Sequence, residues 1–248
     1  MIDTTLSAYP PAALVTGAAR RIGRAIALDL ARQGWDIALH ANRSAGDAHQ
    51  LAGEITALGR KAIVLTADLS QESAVAALVP SAVEALGPLG LLVNNASTFE
   101  KDDIASATRE SWDAHIEPNL RAPLVLIQAF ARQLPAGREG CVVNLIDQRV
   151  WNLGADFLSY TVSKTGLWTL TRTLALALAP QIRINAIGPG PVLRSIHQTE
   201  EDFAAECRSV PLQRSTDLAE ICRTLRFLLE SRSMTGQMIA LDGGQHLT

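Results

Sequence analysis

The chain has 248 residues, of which 48% are hydrophobic and 19% charged. That length holds one or two domains with an ample core, and the composition is that of an ordinary globular protein rather than a disordered or fibrous one. The formal net charge of −3 supplies no field to gather nucleic acid or an anionic membrane surface, so a small-molecule partner is expected.

Along the chain, short apolar runs alternate with amphipathic stretches. Strands are predicted at residues 12–15, 36–40, 62–66, 91–94, 141–145, 183–187 and 238–241. Helices are predicted at 21–33, 46–58, 71–86, 119–134, 158–179 and 217–230, with Gly34, Gly59, Gly87 and Gly140 punctuating element ends. Apolar strands that alternate with helices predict a parallel sheet covered on both faces. Right-handed crossovers then give a doubly wound, Rossmann-type α/β fold of seven parallel strands, with the ligand crevice at the strands' carboxyl ends. No linker or repeat divides the chain, so one domain over residues 12–248 is expected behind an N-terminal tail, residues 1–11. The piece from 188 to about 214 reads as irregular and holds three prolines. Within it, a substrate flap is expected at about residues 190–214.

The first strand runs into Thr16-Gly17-Ala18-Ala19-Arg20-Arg21-Ile22-Gly23-Arg24 and then a helix. Glycines here permit a tight turn and close helix–strand packing, while the helix N-terminus faces a pyrophosphate. Arg21 occupies the middle position of this fingerprint, and an ordinary strand–helix turn is the alternative. The second strand ends in His40-Ala41-Asn42-Arg43-Ser44, with no acid between Asp36 and Asp47. A nicotinamide cofactor without a 2′-phosphate usually meets an acid at this place. Arg43 with Ser44, flanked by Asn42 and joined by an arginine of the first turn, would instead complement a phosphate, which predicts NADPH over NADH. The alternative is that Arg43 is a solvated loop charge.

Within the helix predicted at 158–179, Tyr160 and Lys164 lie four apart and so share a face. A phenol of ordinary pKa, about 10, is a poor acid–base catalyst at neutral pH, and a nearby cation favours its ionised form. The two are therefore candidates for a proton-transfer pair. Cys141, Cys207 and Cys222 form no CxxC pair and no ligand spacing with the five histidines, so reduced, buried thiols and no metal are expected. The first residues lack a secretory pattern, and no apolar run approaches the ~20 residues that span a bilayer, so a cytoplasmic setting is expected.

Thr16-Gly17…Gly23, Asp68-Leu69, Asn94-Asn95-Ala96-Ser97, Asn119, Tyr160…Lys164, Pro189-Gly190 and Leu241-Asp242-Gly243-Gly244 occur in one order. Through them the chain resembles the short-chain dehydrogenase/reductase family over residues 12–247. The resemblance implies a cofactor held by Gly17, Arg20, Arg21, Ile22 and Gly23. It also implies that Asp68 and Leu69 border the adenine and that Asn95, Ala96 and Ser97 line the trough. Pro189, Gly190 and Val192 would shape the carboxamide pocket. Tyr160 would donate the proton, Lys164 would also grip the nicotinamide ribose, and Asn119 would hold a water in a relay to Lys164. Family members form tetramers through the helices predicted at 119–134 and 158–179, which implies a homotetramer.

One departure is informative. The family's usual serine, thirteen positions before the tyrosine, is Asp147 here. A carboxylate beside Tyr160 repels a developing oxyanion and hinders simple ketone reduction, whereas a carboxyl helps if it is protonated or if the substrate offers N–H groups for it to accept. In this the chain is similar to pteridine reductases, which it also resembles at Arg21, in the polar-Arg-Ser end of the second strand, and at Phe99 in Asn95-Ala96-Ser97-Thr98-Phe99. The resemblance implies that Phe99 stacks a pterin ring against the nicotinamide, that Arg21 and Ser97 reach the substrate, and that Asp147 joins Tyr160 and Lys164 in catalysis. Pro118 and Arg194 are unusual within the wider family. The expected activity is NADPH-dependent reduction of a pterin or dihydropterin. The alternatives are a carbonyl or 3-oxoacyl reductase of the same fold, or an NADPH-binding sensor without turnover. For the two residues taken singly, the alternatives are that Asp147 points away from the phenol and that Phe99 is a plain core residue.

Overall fold

Seven parallel strands form one sheet in the order β3-β2-β1-β4-β5-β6-β7 in the computed structural model, which describes residues 8–195 and 198–248. The strands are β1 (Ala12–Val15), β2 (Asp36–Ala41), β3 (Ala62–Thr66), β4 (Leu89–Asn94), β5 (Gly140–Leu145), β6 (Ile182–Pro189) and β7 (Met238–Leu241). The helices are α1 (Arg21–Arg32), α2 (Ala45–Ala57), α3 (Glu72–Leu86), α4 (Arg109–Ile116), α5 (Ala122–Gln133), α6 (Leu158–Ala177), α7 (Glu200–Ser209) and α8 (Leu218–Glu230). From β1 the chain steps outward through β2 to β3, then returns to the other side of β1 with β4. That reversal opens a crevice above the carboxyl ends of β1 and β4, where ligands of doubly wound sheets bind.

The strands are apolar at successive positions because both faces of the sheet are covered. Side chains alternate, so Val15, Val93 and Val143 pack with Ile26 and Leu30 of α1 and Ile221 and Leu225 of α8. Leu14, Leu92 and Val142 face the opposite way, against Leu78 of α3 and Val125 and Phe130 of α5. Each strand predicted from the sequence is present, with ends moved by no more than two residues.

Two helices were not anticipated. Helix α4 buries only His115 and α7 buries nothing, so neither carries an apolar stripe. Both are instead marked by capping boxes, Thr108 with Ser111 and Thr199 with Asp202. The stretch expected to be irregular from 188 to 214 therefore contains a ten-residue helix. The helix predicted from residue 119 begins as a π-helical turn, Glu117–Arg121, ahead of α5. Pro118 stands in its first turn, and such turns often mark functional sites. Residues 8–11, expected within a tail, are tied to the body. Tyr9 is buried and donates its hydroxyl to Leu229 O at 3.1 Å, and Pro11 bridges to Leu89. Residues 1–7 of that tail lie outside the described residues. Cys141 and Cys222 are buried as expected, but Cys207, on the solvated α7, is only partly so. Among the described residues no helix is long and apolar enough to cross a membrane.

Candidate active site

Strand β5 ends at Leu145, and the chain continues extended to Asp147, which caps a 3₁₀ turn, Gln148–Val150. One carboxylate oxygen of Asp147 accepts the Arg149 N–H at 2.8 Å, and the other accepts the Tyr160 hydroxyl, also at 2.8 Å. Asp147 thus faces the phenol directly. Burial raises the Asp147 carboxyl above its ordinary range, opposed by the Arg149 N–H, the Tyr160 hydroxyl and Lys164. Burial, and then the charge of Asp147, hold the Tyr160 phenol well above 10. Burial brings Lys164 down to about 8, with Asp147 opposing.

The expectation that a cation beside the phenol favours its ionised form does not describe this arrangement. Lys164 Nζ donates to Leu145 O at 2.9 Å and lies 5.8 Å from the Tyr160 ring centroid. The phenol's partner is the acid, which keeps it protonated. Asn119, in the π-turn, is fully buried. Its side-chain amide donates to Thr98 O at 2.9 Å and to Ser163 Oγ at 3.1 Å, and its carbonyl accepts the Thr98 N–H at 2.8 Å. Ser163 in turn donates to Tyr160 O at 2.6 Å, so Asn119 pins the segment after β4 to α6.

Above these groups lies a cleft of about 260 Å³. Of the residues singled out from the sequence it gathers Arg21, Ile22, Asn95, Ser97, Phe99, Asp147, Tyr160, Lys164, Pro189, Gly190 and Val192. Phe99 is stacked on Phe157, centroids 4.4 Å apart and planes 6° from parallel, and meets Tyr160 edge to face at 4.7 Å. The Arg149 guanidinium sits 5.1 Å over the Phe157 ring. Phe157 and Arg149 were missed, as were Phe203 and Glu206 of α7, which also line the cleft. Only the adjacency of Arg149 to Asp147 offered a signal.

The glycine turn is tightly built. Gly17 has φ of 61°, a left-handed conformation that suits glycine. A Cβ on Gly23 would lie 2.2 Å from Gly17 O. The Asn95 amide donates to Thr16 O at 2.8 Å and Gly17 O at 3.1 Å. His40, not singled out from the sequence, accepts the Gly17 N–H at 3.1 Å and makes a second bond to Ala67 O. Arg21 is itself left-handed, φ 53°, and its guanidinium donates to Arg194 O at 2.7 Å and Leu193 O at 2.9 Å. Arg20 pairs with Asp47 at 2.6 Å. Arg20, Gly17, Gly23, Ala96, Asn42, Arg43, Ser44, Asp68 and Leu69 stand outside the cleft, in the turn and in the segments that follow β2, β3 and β4. Two hydrogen bonds from Ser70, helped by the charge of Arg43, hold the Asp68 carboxyl below its ordinary range. Among the described residues no group of three or more His, Cys, Asp or Glu is placed to hold a metal ion.

A doubly wound parallel sheet with a glycine turn after its first strand, and a tyrosine and lysine four apart at the strands' carboxyl ends, defines a Rossmann-fold oxidoreductase. The profile of the enoyl-(acyl carrier protein) reductase family matches residues 17–246. The chain belongs to the short-chain dehydrogenase/reductase family. It is similar to FolM alternative dihydrofolate reductase 1 from Brucella canis, crystallised with NADP. The two share 49% identity over 97% of this chain and 96% of that one, with a TM-score of 0.94. The Brucella suis protein of the same name, also with NADP, is 50% identical over 95% of each chain, with a TM-score of 0.92. A curated relative, the 3-oxoacyl-[acyl-carrier-protein] reductase FabG of Staphylococcus epidermidis, is 31% identical over 95% of this chain and 98% of its own.

Proposed function

We propose that the chain is an NADPH-dependent reductase of a pteridine, a pterin or dihydropterin. The observation that carries this reading is the 2.8 Å hydrogen bond from the Tyr160 hydroxyl to Asp147. An acid in contact with the phenol disfavours a substrate that develops an oxyanion, and favours one that presents ring N–H groups for the carboxylate to accept. The two Brucella FolM structures support the same reading.

The residues present fit a dinucleotide. The Gly23 position leaves no room for a Cβ, as a close helix–strand approach requires, and the first turn of α1 carries no acid. Arg43, exposed after β2 where no acid stands, and Ser44 would meet a 2′-phosphate. Asp68 and Leu69 would border the adenine, and Pro189, Gly190 and Val192 the carboxamide. When bound, NADPH supplies a hydride to a ring carbon of the acceptor. Tyr160 holds the proton for the adjacent ring nitrogen, because burial and Asp147 keep its phenol un-ionised. Asp147 orients that hydroxyl and accepts from the substrate. Lys164, which titrates near 8, carries charge into the site near neutral pH. Phe99, backed by Phe157, presents a rigid aromatic wall for an electron-poor bicyclic ring.

The second reading, a 3-oxoacyl or other carbonyl reductase, is favoured by the FabG relatives. Following NADPH and NADH absorbance with dihydrobiopterin, dihydrofolate, a 3-oxoacyl thioester and simple ketones separates the possibilities. Pterin-dependent oxidation of NADPH is expected; turnover of carbonyls alone overturns the reading, and cofactor binding without any turnover points to a sensor. A homotetramer is part of the proposal, supported by Val162 and Leu176 of α6, apolar and exposed on the lone chain, and light scattering measures it.

A further inference from the structure

We propose that Asp102, Ser159 and His115 form a clamp that positions the Tyr160 phenol and the Phe99 ring relative to one another. All three side chains are buried, and they come from three separate pieces of chain. Asp102 follows Phe99 in the loop after β4, His115 lies on α4, and Ser159 immediately precedes Tyr160 on α6. The proposal rests on the preceding functional reading for the roles of Tyr160 as proton donor and Phe99 as substrate wall.

The hydrogen bonds run in one direction. The Glu100 N–H donates into His115 Nε2 at 3.0 Å, so the ring proton is on Nδ1. That nitrogen faces Ser111 O at 2.9 Å and Ser159 Oγ at 2.7 Å. Ser159 then donates its hydroxyl to Asp102 Oδ2, which also accepts from Ser111 Oγ at 3.2 Å. The remaining oxygen, Asp102 Oδ1, accepts the Ser159 N–H at 3.1 Å, and Asp102 O accepts the Leu158 N–H at 3.3 Å. Helix α6 has no side-chain cap at its own N-cap, Phe157, so Asp102 caps it from 57 positions away. This trio is no hydrolytic nucleophile. Ser159 is fully buried and commits its proton to Asp102 rather than to the histidine.

What the clamp holds is the working side of the site. Phe157 is left-handed, φ 55°, a conformation costly for a bulky residue and kept only where its surroundings enforce it. The Leu158 and Ser159 N–H bonds to Asp102 fix the two peptides that follow. Phe157 thereby stays stacked behind Phe99, and the His115 ring meets Tyr160 edge to face at 6.1 Å. Shifting α6 against the Phe99 loop displaces the proton donor and the substrate wall together. Misplacement by about 1 Å costs up to roughly 10²-fold in turnover.

The test is Ser159→Ala in the full chain, with Asp102→Asn, which turns an amide N–H toward the Ser159 hydroxyl, as the second variant. With whichever acceptor the wild type reduces, kcat should fall about ten-fold while the NADPH dissociation constant stays within about two-fold. The chain has two tyrosines, so NMR of tyrosine labelled only at the hydroxyl-bearing ring carbon gives two resonances, assigned with Tyr9→Phe. The Tyr160 resonance should move and that of Tyr9 should not. This readout needs no substrate, so it decides the clamp even if every pterin fails as an acceptor. An unmoved Tyr160 resonance overturns the proposal. Loss of NADPH affinity together with displacement of both resonances also overturns it, since that marks general loosening.

Discussion

Replacing Lys164 with methionine should make the protein more stable while impairing it. Lys164 is 2% exposed and titrates near 8 in the fold, against 10.5 for an ordinary lysine. Holding that ammonium charged at neutral pH therefore costs the folded state about 3 kcal/mol. Its hydrogen bond to Leu145 O, 2.9 Å long, returns about 1 kcal/mol, so methionine gains about 2 kcal/mol net. For a chain of this length that is a rise in Tm of about 4–8 °C. The sign follows from linkage. Below pH 8 the folded and unfolded lysine both hold the proton and the full cost is present; between 8 and 10.5 the folded lysine releases it first and the wild type recovers. Thermal unfolding of both proteins from pH 7 to pH 10 should show a gap that is widest at neutral pH and closes as the pH rises. A variant no more stable at neutral pH, or one whose advantage is the same at every pH, refutes the assignment of a desolvated, weakly paired ammonium.

Tyr160→Phe should lower kcat on the order of 10²-fold or more while NADPH binding, followed by its fluorescence, is little changed, because the phenol's contribution is the proton. Gly23→Ala places a methyl 2.2 Å from Gly17 O and 2.6 Å from Asn95 Nδ2. The turn must open to admit it, so NADPH affinity should fall at least about ten-fold and Tm should drop, as overpacking costs about 1–3 kcal/mol. Unchanged titration and melting curves for that variant would show that the turn is slacker than described.

Much of this site is legible in the sequence. The strands announce themselves because burial on both faces demands unbroken apolar runs such as Leu91–Val93. The proximity of Asp147 to Tyr160 was readable from a spacing of thirteen and a family resemblance. What escaped notice shares a physical cause. Helix α7 buries nothing and α4 only a histidine, so hydrophobic periodicity is silent and the capping boxes alone mark them. The Asp102–Ser159–His115 cluster joins polar residues far apart in sequence, with no motif between them. The acceptor of Lys164 was not legible, because helical spacing places side chains on a face but does not say where a flexible ammonium finds its partner. Leu145 O takes it, and the phenol turns to the acid instead.

On the proposed reading, the acid in contact with the phenol selects a nitrogen heterocycle as hydride acceptor. The most direct measurement is the ratio of kcat/KM for dihydrobiopterin to kcat/KM for a ketone or 3-oxoacyl thioester, in the wild type and in Asp147→Ser. Restoring a hydroxyl should lower that ratio at least about ten-fold, the scale of one lost charge-assisted hydrogen bond. A ratio that does not move would mean that Asp147 takes no part in choosing the substrate.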